Sequence, residues 1–360
     1  MARISDSPPQ TKPIRTGYII GPVVDSLFII GAPLLALCIG APLFSLPRNL
    51  FEVTIAGQPT DLRSLFVATF TFAHLALVFV RSHANQNIFF TFPLRFTLVP
   101  LAVFLGTVFS PHFCALATCV AVWWDVYHSS LQTFGFGRIY DAKKSNPPLA
   151  GRRLDYWMNL YFYLGPVLAG AHFIAHLESS RSGFLNLKMT GDVMSHFLYQ
   201  RTNPLEMGPL QWYLTWGVLA SGIPFCVFYL ISYARLARAG YAVSWQKVFL
   251  LGIAAFVSIF CWGFGSFIDA FWVMNVFHAL QYFVIVLYTE NANLKRLFRV
   301  ENLPYGSCLA AFYVILVTFL YGLWASAFAS GNWMIGSTLT VGLMHFWFDS
   351  FIWSVRKKQV

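Results

Sequence analysis

Charge is what this 360-residue sequence has least of: Asp, Glu, Lys and Arg together make up only 11% of it, against about 25% in a soluble domain. Hydrophobic residues account for 57% and the mean hydropathy is +0.61, which leaves too few polar groups to keep a surface dispersed in water. A soluble enzyme, a disordered tail and a nucleic-acid binder are excluded. Acidic residues are the scarcer sign, 14 against 24 basic ones, for a net charge of +10. In a membrane chain such an excess reflects Lys and Arg kept on one side of the bilayer.

Several motifs are missing as well. The six cysteines (Cys38, Cys114, Cys119, Cys226, Cys261, Cys308) form no CxxC, no CxxCH and no paired framework, which argues against disulfides, covalent haem and iron–sulfur clusters. There is no G-x-x-x-x-G-K-[ST], so an ATP-driven pump is not indicated, and no HExxH of a membrane zinc protease. Every lysine (Lys12, Lys143, Lys144, Lys188, Lys247, Lys295, Lys357, Lys358) reads as lying in a loop, a tail or a span edge. A Schiff-base rhodopsin needs one inside a span. No internal repeat or low-complexity tract is found, and residues 1–17 are polar and contain proline, without the features of a cleavable signal peptide.

What is present is a series of apolar runs. A membrane helix needs about 20 mostly apolar residues to cross a core of about 30 Å. Ten stretches meet that description: 18–40, 64–82, 94–110, 112–134, 155–177, 209–233, 245–264, 266–289, 306–328 and 333–355. With the N-terminus inside, 19 of the 24 basic residues fall in cytoplasmic segments, as the positive-inside rule requires. Only Arg48, Arg63, Arg181, Lys188 and Arg201 fall outside. The expectation is an all-α, polytopic helical bundle of about ten transmembrane helices with both termini cytoplasmic, in a bacterial-type inner membrane. Residues 1–17 form a cytoplasmic tail, 18–355 one transmembrane domain, and 356–360 a basic tail.

Ionisable groups inside a bilayer cost about 2.5–3.5 kcal/mol each even on insertion scales, so each needs a reason. At 1.5 Å per residue, His74, His278 and His345 fall near mid-bilayer, and Asp25, Asp125, His128 and Asp349 in the cytoplasmic half. In W-W-D-V-Y-H-S-S-L-Q, Asp125, His128 and Gln132 share one helix face. In N-V-F-H-A-L-Q, Asn275, His278 and Gln281 share a stripe beside Tyr282, and H-F-W-F-D sets His345 and Asp349 one turn apart. A histidine with a carboxylate one turn away suits a metal ligand whose tautomer is fixed by its neighbour, or a pair of ligands. Helix-to-helix hydrogen bonding is the structural alternative for any one of these histidines. Four at similar depth point to a site. His83 joins it only if the helix unwinds after Arg81.

Two further places stand out. His172 and His176 are spaced i, i+4 near the outer surface and form a possible second polar site with His112. In F-G-F-G-R-I-Y-D, Arg138 and Tyr140 are placed at the inner interface to hold a head group or a redox partner, or to act as an interfacial anchor.

Dispersed histidines in a polytopic chain resemble, in kind, the Brp/Blh-type carotene dioxygenases, polytopic proteins in which such histidines hold a non-haem iron that splits a carotenoid. The G-x-P-H-G-x-x-D-H-type box of that family is absent here, so no residue is carried over. The HxxxH and HxxHH boxes of fatty-acid desaturases and alkane hydroxylases are represented only by His172 and His176.

The expectation is therefore a membrane-embedded metalloenzyme, a non-haem iron oxidoreductase with one or two ions, acting on an isoprenoid, carotenoid or fatty-acyl chain delivered through the lipid bilayer. His74, His128, His278 and His345 are the expected ligands, Asp349 and Asp125 ligands or acceptors beside them, and Asn275 and Gln132 orienting groups. A cytoplasmic electron donor is the expected partner. Haem b or another transition metal on the same histidines is one alternative. A proton-coupled transporter using the His/Asp pairs as a relay is another, and a transferase with His278 as base a third.

Overall fold

The chain enters the bundle through a three-residue helix α1 (Pro22–Val24), which runs into a π-helical turn, Asp25–Ile30, and then into α2 (Ala32–Ser45). The entry is held by Asp25, whose buried carboxylate accepts from the amides of Ile19, Ile20 and Gly21 at 2.6, 3.0 and 3.2 Å. The carboxylate thus pins the segment just before α1 to the start of the π-helical turn. The axis bends by 55° between the two halves, at Gly31, where a Cβ would press on the Ser26 carbonyl oxygen.

The computed structural model describes residues 17–47, 50–55, 58–169, 209–264, 267–328 and 331–353. Among them one antiparallel hairpin, β1 (Glu52–Ile55) with β2 (Gln58–Asp61), interrupts an otherwise helical chain. The helices that follow are α3 (Leu62–Ser82), α4 (Gln86–Phe89), α5 (Pro93–Phe109), α6 (Pro111–Lys143) and α7 (Arg152–Ala169). After them come α8 (Pro209–Arg238), α9 (Trp245–Phe264), α10 (Phe267–Thr289), α11 (Asn291–Leu297), α12 (Gly306–Phe328) and α13 (Asn332–Ile352). Their starts are written locally. Asp61 caps α3, Ser110 caps α6, and prolines stand at the first turns of α5 and α6, where the missing N–H costs nothing. Arg63 then ties α2 to α3, donating to Asp61 and to the carbonyls of Leu43 and Leu46 at 3.1 and 2.9 Å.

The ten-span expectation is corrected. Five helical segments among the described residues are long and apolar enough to cross a membrane: Leu62–Ser82, Trp216–Arg238, Trp245–Trp262, Ala270–Thr289 and Gly306–Ala327. The bent pair Pro22–Ile30 and Ala32–Gly40 makes six if it is one span. The other expected stretches are helical but fail for physical reasons. Helix α5 has 17 residues with Pro100 inside it. Helix α7 opens on Arg152, Arg153 and Asp155, and the rest of 155–177 lies outside the described residues. Helices α6 and α13 carry polar and ionisable side chains along their length, which lowers their apolarity. They are inner helices of the bundle, and His128, His345 and Asp349 sit on them.

The apolar segments differ in what they face. The α10 segment is 72% buried inside the protein, whereas none of the α8 segment is; α8 presents Trp216, Leu219, Ile223 and Leu230 outward, as a helix against lipid does. Helix α3 is the hub: it packs on α10, α12 and α13, and α13 in turn packs on α5 and α6. The α3–α12 contact is backbone-close at Gly322, where a Cβ would collide with the Thr69 carbonyl oxygen. Gly322→Val is therefore expected to push α12 off α3 at a cost of about 1–3 kcal/mol. The check is the unfolding temperature of detergent-purified protein, and an unchanged temperature would contradict the contact.

Candidate metal centre

Four helices each bring one histidine to a single buried place: His74 from α3, His128 from α6, His278 from α10 and His345 from α13. Small neighbours make the convergence possible. Ala73 and Ala279 are fully buried beside His74 and His278, and Gly342 lets α13 approach Leu75 of α3. His74, His278 and His345 are 0% exposed and His128 6%.

The rings meet edge to face. Centroids are 5.2 Å apart for His74–His278, 5.0 Å for His74–His345, 5.0 Å for His128–His278 and 4.9 Å for His128–His345. Both ring nitrogens of His278 have no hydrogen-bond partner, His74 reaches only the Thr71 backbone carbonyl of its own helix, and His345 reaches only His128 and the Leu75 backbone carbonyl. Leaving a buried polar group unpaired costs about 1–3 kcal/mol, so a set of such nitrogens aimed at one another is costly unless something binds them.

Two triads bring their donor atoms close together. His74, His278 and His345 each offer an atom within 4.8 Å of the others, and so do His128, His345 and Asp349. In the second triad the edges are known: Nε2 of His345 to Nε2 of His128 is 3.2 Å, and Oδ2 of Asp349 is 3.7 Å from His128 and 3.9 Å from His345. The point equidistant from these three atoms lies about 2.1 Å from each in their plane, the length of a metal–imidazole or metal–carboxylate bond, about 2.0–2.2 Å. The residues fit an ion without rearrangement.

Asp349 is aimed by its neighbours. Its Oδ1 accepts from the Tyr282 hydroxyl at 2.8 Å and the Trp353 indole at 2.9 Å, so that Oδ2 is left facing the histidines. Trp353 is covered by the Arg81 guanidinium, 3.9 Å from its ring, and Arg81 pairs with Glu290. The helix spacing of Tyr282 beside His278 is visible in the sequence. The indole of Trp353 and the Arg81–Glu290 pair are not, because they are joined only through tertiary packing.

The polar stripes expected on α6 and α10 meet as a ladder. The Asp125 carboxylate hydrogen-bonds the Asn275 side chain one turn from the centre. On the other side Gln132 donates to the His278 carbonyl at 3.0 Å and to Gln281 at 2.9 Å, while Gln281 reaches the Ile29 carbonyl at 2.7 Å. The two helices are thereby locked in register with His128 opposite His278.

Other candidate residues stand elsewhere. His83 ends α3 away from the cluster, its Nδ1 paired with the Ser82 hydroxyl at 2.8 Å and its Nε2 with the Phe96 carbonyl at 3.1 Å. Burial lowers its pKa below the ordinary histidine value, and with both nitrogens engaged it does not join the centre. His112 is exposed in the first turn of α6, whereas His172 and His176 lie outside the described residues. Arg138 and Tyr140 are turned inward. The Tyr140 hydroxyl donates to Asp25 at 2.9 Å. Arg138 pairs with Asp141 at 2.7 Å and Asp155 at 2.9 Å.

Lys247 completes that cluster. Expected at a span edge, it is 2% exposed and reaches Asp141 at 2.8 Å, Asp155 at 3.3 Å and the hydroxyls of Tyr233 and Tyr241 at 2.9 and 3.0 Å. Two cations thus balance two carboxylates where α6, α7, α8 and α9 meet. Lys247→Met is expected to cost about 3–5 kcal/mol by stranding buried carboxylates, while leaving bound metal unchanged in the protein that folds. Thermal unfolding beside metal analysis checks both halves, and metal loss in folded protein would tie the cluster to the centre.

Compared with protein-family models, with curated proteins and with solved structures, the chain matches none. What the structure shows is apolar helices around two buried groups of donors, one of three histidines and one of two histidines with an aspartate.

Proposed function

We propose that this is a membrane-embedded non-haem iron oxidoreductase acting on a lipid-soluble substrate, an isoprenoid, carotenoid or fatty-acyl chain. The observation that carries the reading is the triad His128, His345 and Asp349, whose donor atoms stand 3.2–3.9 Å apart in a buried site. Two histidines and one carboxylate with positions left open are the donor set of non-haem iron oxygenases. An iron so held would bind dioxygen and supply one-electron chemistry.

The chain's own residues have distinct tasks in this reading. Tyr282 and Trp353 hold Oδ1 of Asp349 and so orient the carboxylate. The Asp125–Asn275 pair and Gln132 keep α6 and α10 aligned and place polar atoms one turn from the centre. The apolar helices around the site exclude water and admit a substrate from the bilayer. Electrons would come from a donor on the cytoplasmic side.

Haem is disfavoured by shape. Imidazoles on opposite faces of a haem stand about 4 Å apart at their nitrogens, twice a metal–nitrogen bond of about 2.0 Å, with a flat macrocycle between them. Here Nε2 of His128 and His345 are 3.2 Å apart and all four rings touch edge to face.

Elemental analysis by mass spectrometry with a visible spectrum, on detergent-purified protein, tests the proposal. At least one iron per chain without a Soret band is expected, and His345→Ala, which enters both triads, is expected to lower metal content more than tenfold. A Soret band, or a folded metal-free wild-type protein, would contradict it; the metal-free result would favour a proton relay.

A further inference from the structure

We infer that the centre takes two metal ions side by side, the second held by His74 and His278, with His345 standing between the two positions. The inference rests on the metal-binding reading above and goes beyond it in nuclearity and in the role of these two residues.

Distances decide against one ion for all five donors. Ligand atoms on a single ion, bound at about 2.0–2.2 Å, are at most about 4.4 Å apart. Among the described residues the donors group into two triads, each with its atoms within 4.8 Å of one another, and not into one larger set. An ion at about 2.1 Å from His128, His345 and Asp349 therefore leaves His74 and His278 outside its reach as the residues stand. Yet both are 0% exposed, His278 has no hydrogen bond at either nitrogen, and His74 reaches only the Thr71 backbone carbonyl of its own helix, so neither ring bonds a neighbouring helix. Hydrogen-bonding histidines that merely glue helices together would show partners. Their rings stand edge to face at 5.2 Å between centroids, and with His345 each offers a donor atom within 4.8 Å of the other two.

His345 belongs to both triads. Its ring lies 5.0 Å from that of His74 and 4.9 Å from that of His128. Its Nε2 faces His128, and its ring also lies against the Leu75 backbone carbonyl of α3. Two neighbouring ions share the positioning of one reacting group and the exchange of electrons, the use to which paired sites are put. His74, His128 and His278 would bind as neutral imidazoles and His345 could serve both positions only after losing its ring proton, so the added charge would be offset in part by that imidazolate, by Asp349 at the centre and by Asp125 one turn away on α6. That favours ions of low charge in the resting protein.

The test is a metal count on the full-length chain in detergent, stripped with a chelator and reloaded with Fe(II) under anaerobic conditions. Two ions per wild-type chain are expected. One is expected for the double variant His74→Gln/His278→Gln and one for His128→Gln/Asp349→Asn, each checked as folded by its elution profile. One ion per wild-type chain, or two still bound after His74 and His278 are replaced, overturns the inference while leaving metal binding standing; no ion at all overturns both. Should a variant not fold, wild-type protein loaded with Cu(II) decides alone. Neighbouring ions couple magnetically, so the integrated electron paramagnetic resonance signal should fall well below the copper content. A signal equal to one copper per chain overturns the inference.

Discussion

The cost of burying an unpaired polar group away from water governs this molecule. Apolar helices can associate in a bilayer in many ways, because lipid tails are as apolar as the helix faces. A helix that carries a histidine, a carboxylate or a glutamine through that environment has few acceptable neighbours. Helices α3, α6, α10 and α13 each carry such a group at the same depth, and their arrangement is the one that brings those groups together. The register of α6 against α10 follows, since Gln132 and Gln281 on one side of the histidines and Asp125 with Asn275 on the other fix it.

The same cost separates two kinds of polar cluster. Around Lys247 and Arg138, two cations, two carboxylates and several tyrosine hydroxyls are joined by short hydrogen bonds. That cluster is a balanced joint between helix ends, and it explains itself. Around His74 and His278 the ring nitrogens find no side-chain partner, and only His74 meets a backbone carbonyl, that of Thr71 in its own helix. The difference in satisfaction, more than the mere presence of polar residues, separates the one cluster from the other. Asp349 shows both sides in one residue: Oδ1 is held by Tyr282 and Trp353, and Oδ2 is turned toward His128 and His345.

The histidines were legible in the sequence because a lone ionisable residue in an apolar run is conspicuous; their depth, by contrast, was read through a ten-span topology that the structure does not keep. Spacing likewise revealed the Asp125–His128–Gln132 stripe and the His345–Asp349 pair. The span count was less legible. Apolar runs in α6 and α13 read as spans, although the polar and ionisable side chains between them leave both helices short of the apolarity of the five segments that qualify. Arg138 and Tyr140 read as interfacial because their partners Asp155 and Asp25 lie 17 and 115 positions away, beyond any periodic pattern. His83 is the instructive near miss. Nine residues after His74, it lies on the far side of an unbroken helix, and a carbonyl from the next segment takes the nitrogen it would have offered.

The central claim is that the buried imidazoles are metal ligands. X-ray absorption at the edge of the metal that co-purifies with the wild-type chain tests it most directly. A nitrogen and oxygen shell at about 2.0–2.2 Å, with the outer-shell scattering of several imidazole rings, is the predicted result. A sulfur shell, a porphyrin pattern, or protein that folds and purifies with no metal to measure would contradict it.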